Sequence, residues 1–143
     1  MSRLIAHLSR RYRFSASHRL HVDTLSPEQN RETFGKCNNP FGHGHNYVVQ
    51  VTFSGPVDPV TGMVTNLSDL DSFAQHEMLN LFDHANLNTL EPFLDCVSTT
   101  ENLSVEIWRI FSSYPHAKLE RVHIEETAKN SFDTFGGGAP SHR

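Results

Sequence analysis

The chain alternates from residue 8 to residue 18. Leu8, Tyr12, Phe14, Ala16 and His18 share one phase, and Arg11, Arg13, Ser15 and Ser17 share the other. This period-two pattern predicts a half-buried strand with His18 at its end, on the mostly apolar face. A second alternating run over residues 45–53 places His45, Tyr47, Val49, Val51 and Phe53 in phase, and His43 falls in the same phase. Between the two runs, Thr24 to Phe34 is polar, contains Pro27, and predicts a long loop. Gly55-Pro56, Asp58-Pro59 and Thr61-Gly62 mark turns after the second run.

The period then changes. Leu70, Phe73, Ala74, Met78, Leu81 and Phe82 follow helical spacing, with Ser68 and Asp71 resembling a capping box and an expected end near Asp83. A second helix is expected to open at Ser98-Thr99-Thr100-Glu101. Its apolar stripe is Leu103, Ile107, Ile110, Phe111 and Tyr114, and Pro115 stops it. Two further strands are expected near 118–127 and 130–135. The order β-β-α-α-β-β predicts an α+β domain: a four-stranded antiparallel sheet with both helices on one face.

Length adds that residues 1–143 are expected to form a single domain, with enough chain for one core and too little for two. The net charge of -4 argues against nucleic acid as a partner. No apolar run reaches membrane-spanning length, and none at the N-terminus has the form of a secretory signal. Cys37 and Cys96 are the two cysteines, so no disulfide framework is expected, and a cytoplasmic setting fits best. Cys96 reads as a small buried hydrophobe.

Ten histidines are the compositional oddity. His43 and His45 in H-x-H spacing project from the same face of a strand, and His18 lies at another strand end. Two imidazoles alone are common on strands. Three would suit zinc and leave its fourth position open. His21, His76 and His123 read as ordinary histidines, and His7, His116 and His142 carry no signal.

Cys37 lies in a Gly/Pro/Asn turn beside Lys36, whose charge is expected to lower the thiol pKa. It reads either as a thiolate base or nucleophile, or as a fourth zinc ligand that would close the site. Asp83-His84 reads as an orienting carboxylate and imidazole, or simply as two exposed polar residues. Glu126 shares a face with Val122 and Ile124, where a carboxylate is costly unless paired. Its partner is either an Arg or Lys, or a ligand with two coplanar N–H donors.

These residues also stand in recognisable motifs: Phe14-Ser15-Ala16-Ser17-His18-Arg19-Leu20, Phe34-Gly35-Lys36-Cys37-Asn38-Asn39-Pro40, and Gly42-His43-Gly44-His45-Asn46-Tyr47. Gly62-Met63-Val64, Asp83-His84-x-x-Leu87-Asn88, Ser98-Thr99-Thr100-Glu101-Asn102 and Glu126-Thr127 complete them. In this order and spacing the chain resembles the 6-pyruvoyl/6-carboxy-tetrahydropterin synthase family over most of its length. The resemblance implies His18, His43 and His45 as zinc ligands, Cys37 as general base, and Asp83 and His84 as its proton-relay partners. It further implies Glu126 as anchor of a pterin, with Thr99, Thr100 and Glu101 lining the pocket. It implies a small-molecule substrate, 7,8-dihydroneopterin triphosphate, and a β-barrel trimer stacked into a homohexamer. Arg19 or Lys36 would be near the triphosphate.

Phe41, Phe82 and the Gly-rich C-terminus depart from the family pattern without touching a proposed catalytic group. Within the family, a 6-carboxy enzyme releasing acetaldehyde is the nearest rival. The five residues between Cys37 and His43 favour the 6-pyruvoyl branch. A non-catalytic zinc-stabilised pterin-binding module is the rival from another class. Cys37, Asp83, His84 and Glu126 together argue against it.

Overall fold

The computed structural model describes residues 4–136. Two long strands, β1 (Ile5–His18) and β2 (His43–Pro56), pair antiparallel along their full length, from Ile5 opposite Pro56 to His18 opposite His43. β4 (Lys118–Glu125) pairs antiparallel with β2, and β5 (Ser131–Phe135) antiparallel with β4. A short β3 (Ala85–Asn86) adds to the other side of β1 in parallel, next to Ala16 and Ser17. The sheet is therefore five-stranded and mixed, in the order β3-β1-β2-β4-β5, where the sequence predicts four antiparallel strands. Two residues are too few to carry an alternation, so β3 has no periodic signal.

One face of the sheet carries the core. Phe14, Ala16, Tyr47, Val49, Val51, Phe53, Leu119, Val122 and Ile124 pack there against Leu70, Ala74, Met78, Phe82, Leu103, Ile107 and Phe111. The latter come from helix α2 (Leu67–Ala74), its continuation through Gln75–Leu79 and α3 (Asn80–Phe82), and α4 (Thr100–Ser112). Both expected helices thus cover the same sheet face.

The continuation Gln75–Leu79 is a π turn. Leu70, Ala74, Met78 and Phe82 are fully buried and four residues apart. At 3.6 residues per turn such a spacing drifts by about 40° per step. A wider π turn offsets that drift and keeps the stripe on the core. Leu81, expected on the stripe, is consequently exposed. Asn66 caps α2 by accepting from the N–H groups of Ser68 and Asp69, so the expected Ser68 box is displaced by two residues. Thr99 caps α4, accepting from Asn102 N–H.

Asp71 is engaged elsewhere. Arg10 lies in the inward phase of β1, and its guanidinium forks onto the Asp71 carboxylate at 3.0 and 2.7 Å while the Tyr12 hydroxyl donates to the same carboxylate at 2.9 Å. A bidentate pair of this kind ties β1 to α2. The Arg10 guanidinium holds the Asp71 carboxyl below its ordinary pKa.

The largest departure from expectation lies at 24–34. Instead of a continuous loop, Pro27–Phe34 forms helix α1, with a reciprocal capping box between Ser26 and Gln29 and Pro27 in its first turn. The sequence signal was Ser-Pro-x-Gln, a start signature that needs no apolar stripe. Asn30, fully buried, faces back into the preceding loop. Its amide accepts from Val22 N–H and donates to the carbonyls of Val22, Leu25 and Ser26. α1 is therefore held by polar satisfaction and contributes nothing to the apolar core. Cys96, expected to be buried, is exposed, its thiol donating to Pro92 O in the connection before α4.

Replacing Asn30 with Ala leaves these loop groups without partners and should lower unfolding stability by about 1–3 kcal/mol, read from urea denaturation. Because Asp71 is depressed in the folded state, its contribution is present at neutral pH and lost as pH falls below about 4 through the folded value. Asp71→Asn should flatten the acid limb of the stability–pH profile relative to the parent protein.

Candidate active site

The register of β1 and β2 brings three imidazoles to one end of the core face. His18 lies opposite His43, and Ala16 opposite His45. His18 is completely buried, and its Nδ1–H donates to Ser98 O at 2.8 Å. That bond fixes the tautomer and leaves the Nε2 lone pair directed at His45 Nε2, 3.1 Å away. His43 packs edge-on against His45, with ring centroids 4.8 Å apart. Burial lowers the pKa of both His18 and His45, keeping them neutral and able to act as ligands.

Cys37 reaches the histidines from a 3-10 turn, Gly35–Asn38, that follows α1 directly. Gly35 has φ 57°, which lets the chain turn out of the helix there. The turn is laid against the continuation of β1: Leu20 N–H donates to Cys37 O at 2.7 Å, and the buried Asn38 amide donates back to Leu20 O at 2.7 Å. Cys37 Sγ comes within 3.9 Å of His45 Nε2. The thiol pKa is raised, first by burial and then by the nearby Glu126 carboxylate. This corrects the expectation that Lys36 lowers it. Lys36 is exposed, and desolvation outweighs a solvent-screened charge.

Glu126 follows the last residue of β4 and closes the other side of the cluster. Its Oε2 accepts a short hydrogen bond from the buried Thr100 hydroxyl and lies 3.8 Å from His45 Nε2. No Arg or Lys pairs with it among the described residues, so the salt-bridge reading of this carboxylate does not hold. Beside it the Tyr47 hydroxyl is buried without a hydrogen-bond partner, and burial and Glu126 push its pKa up. An orphaned phenol beside a carboxylate bonded to one hydroxyl fits a place built to receive a polar ligand.

The other expected residues are placed differently. Thr99 is occupied in capping α4, and Glu101 is exposed in its first turn. Asp83 and His84 lie off the end of α3, at the edge of β1 beside Ser15. Asp83 Oδ1 accepts from Ser15 N–H at 3.0 Å and is 3.2 Å from His84 Nδ1. His84 has φ 60°, and its backbone N–H donates to Ser15 O at 2.6 Å. Its side chain is 83% exposed, beside Ser15, Ser17 and Asn46 in the outward phase of the strands. The left-handed backbone at His84 thus accompanies a solvent-exposed imidazole.

His18, Cys37 and His45 can bring one ligand atom each to within 4.8 Å of one another. The 3.1 Å Nε2–Nε2 separation is close to the edge of about 3.3 Å that zinc–nitrogen bonds of 2.0–2.1 Å give in a tetrahedron. The donor set therefore fits zinc. The tightest group contains Cys37, with His43 adjacent to it, so the structure leaves His43 and Cys37 as rivals for the third ligand. Ser98 and Asn38, which orient His18 and Cys37, stand in the quoted motifs, but nothing in the sequence marks their orienting roles. Both act through contacts with residues distant along the chain.

The chain is similar to known proteins. A family model described as 6-pyruvoyl tetrahydropterin synthase matches residues 7–136. The 6-pyruvoyl tetrahydrobiopterin synthase of Poecilia reticulata is 50% identical over 128 residues, covering 88% of this chain and 87% of that protein. The Homo sapiens protein of the same name is 50% identical over 127 residues, covering 87% and 88%. The solved structure of Caenorhabditis elegans 6-pyruvoyl tetrahydropterin synthase superposes with a TM-score of 0.89 at 44% identity, covering 96% of this chain and 100% of that one. The chain belongs to the 6-pyruvoyl tetrahydropterin synthase family of lyases.

Proposed function

We propose that this protein converts 7,8-dihydroneopterin triphosphate to 6-pyruvoyl-tetrahydropterin, releasing inorganic triphosphate, in the formation of tetrahydrobiopterin. The observation that carries the proposal is the convergence of Cys37, His18, His45 and an otherwise unpaired Glu126 on one buried spot. Glu126 would accept the two coplanar N–H donors of the pterin ring, with Thr100 holding the carboxylate in place. His18, His43 and His45 would hold zinc, which when bound supplies Lewis acidity toward the side-chain oxygens of the substrate.

Cys37 would take a carbon-bound proton from the substrate side chain. As the neighbouring C–O bond to the triphosphate breaks, the departing oxygen takes the bonding electron pair. Further proton shifts carry the side chain's reducing equivalents into the ring, so the overall conversion is redox-neutral and needs no external oxidant or reductant.

The exposed Asp83–His84 pair would act on the opposite side of a substrate bound to a neighbouring subunit. Two features support assembly into a homohexamer built from barrel-forming trimers. β1 has no strand partner upstream of Ala16 on its outer side, and β5 is the other edge of the sheet. Unpaired edges of this kind are satisfied by pairing with another copy. Cytoplasmic placement remains part of the same proposal. Among the described residues no helix is long and apolar enough to cross a membrane.

Zinc-loaded protein should consume 7,8-dihydroneopterin triphosphate anaerobically and yield a 6-pyruvoyl product by mass spectrometry. A 6-carboxy product with acetaldehyde would assign the other branch of the family. Cys37→Ala should lower turnover by at least about 10³-fold while zinc stays bound at parental stoichiometry. Loss of zinc in that variant would make Cys37 a ligand. Mixing Cys37→Ala and His84→Ala subunits, each inactive alone, should restore part of the activity. Continued inactivity of a mixed assembly would refute the shared site.

A further inference from the structure

His18 belongs to either ligand set described above, and it stands where two ladders run out. Its pairing with His43 is the last between β1 and β2, and β3 has already ended beside Ser17. Arg19 lies beyond both, so its backbone groups need a partner from outside the sheet. The side chain of Asn88 supplies it. Asn88 Oδ1 accepts from Arg19 N–H at 2.7 Å, and Asn88 Nδ2 donates to Arg19 O at 2.9 Å.

The same Oδ1 accepts a second bond, from the hydroxyl of the fully buried Ser98 at 3.3 Å. Ser98 is also the residue whose carbonyl receives the Nδ1–H of His18, at 2.8 Å. One carboxamide thus ties the residue after the ligand to the residue that takes the ligand's N–H. Local structure puts it there. The fully buried Leu87 anchors the 3-10 turn Leu87–Thr89, and the Asn86 side chain caps that turn by accepting from Asn88 N–H at 3.1 Å. From the other flank Asn102, in the first turn of α4, donates to Val97 O at 2.8 Å.

A histidine that ligates through Nε2 needs its Nδ1–H aimed at a fixed acceptor, and losing such an outer partner weakens metal binding by about 10–100-fold. Here the acceptor is a backbone carbonyl, which no side-chain substitution deletes. Control of it passes to whatever holds residue 98 against residue 19. Resting on the zinc reading proposed above, we infer that Asn88 is a positioning residue of the metal centre. It keeps Ser98 O on the Nδ1–H of His18, so that Nε2 remains the ligating nitrogen. The inference holds whether His43 or Cys37 completes the ligand set, because His18 is common to both.

Zinc affinity of the full assembly can be measured by competition with a chromophoric chelator, with zinc alone and no substrate. Asn88→Ala should weaken zinc by at least about tenfold, and a smaller loss would overturn the inference. Asn88→Asp keeps an oxygen that can accept from Arg19 N–H and Ser98 O–H, so it should recover part of the loss. No recovery would also count as refutation. Tyr114→Phe controls for lost stability. It removes a buried 2.7 Å bond to Thr65 where Tyr114 packs on Phe53, near the end of β2 opposite His43. Zinc affinity in that variant should stay within about twofold of the parent, and a loss equal to that of Asn88→Ala would make the role of Asn88 merely structural. The two proposals fail separately. Parental protein that binds zinc without consuming the phosphorylated pterin refutes the function and leaves the Asn88 comparison standing. Normal parental turnover with zinc affinity unmoved by Asn88→Ala refutes the role of Asn88 alone.

Discussion

The antiparallel ladder between β1 and β2 fixes where every histidine of the site can go. With His18 opposite His43 and Ala16 opposite His45, the imidazoles share the face that also carries Phe14, Tyr47 and Val49. A slip of one residue in either strand would send its histidines to the outer face with Ser15 and Ser17, and would take its apolar side chains out of the core at the same time. Burial of the apolar face therefore enforces the geometry of the chemical groups. The site needs no separate source of strand register, because misplacing the histidines would first dismantle the core.

The remaining components are tied to this ladder by polar groups that are individually small and collectively demanding. Ser98 O fixes the His18 tautomer, Asn38 and Leu20 hold the Cys37 turn, Asn30 folds the loop before α1, and Asn88 clamps the backbone of Arg19. Each satisfies backbone groups that burial would otherwise leave without partners. The consequence is a site whose ligands come from distant segments yet occupy a narrow range of positions. Its two unsatisfied groups, Glu126 with one hydroxyl donor and Tyr47 with none, are where a ligand has most to gain.

Asp83 and His84 show the opposite arrangement. The left-handed backbone at His84 and its bond to Ser15 O direct the imidazole to the outer side of the sheet. Such a conformation is held by its surroundings and has no evident use inside a single protomer. In the shared site proposed above, it would face the cysteine of a neighbouring copy. The free edge of β1 points the same way.

Periodicity alone determined the two long strands, both core helices and the common phase of His18, His43 and His45, because alternation and helical spacing are local properties of the chain. Spacing within the motifs determined the family. Tertiary structure alone decided what surrounds those groups. Within the polar segment at 24–34, Pro27–Phe34 is helical because the Ser26–Gln29 box satisfies its N-terminal end and Asn30 ties it to the preceding loop, and no apolar stripe advertised it. The Cys37 thiol is raised because burial and Glu126, remote in sequence, outweigh its neighbour Lys36. Arg19, Arg31 and Lys36 come to line one cleft only in the folded chain. Burial, desolvation and the summed field of several charges depend on distances across the fold, and a linear sequence does not contain those distances.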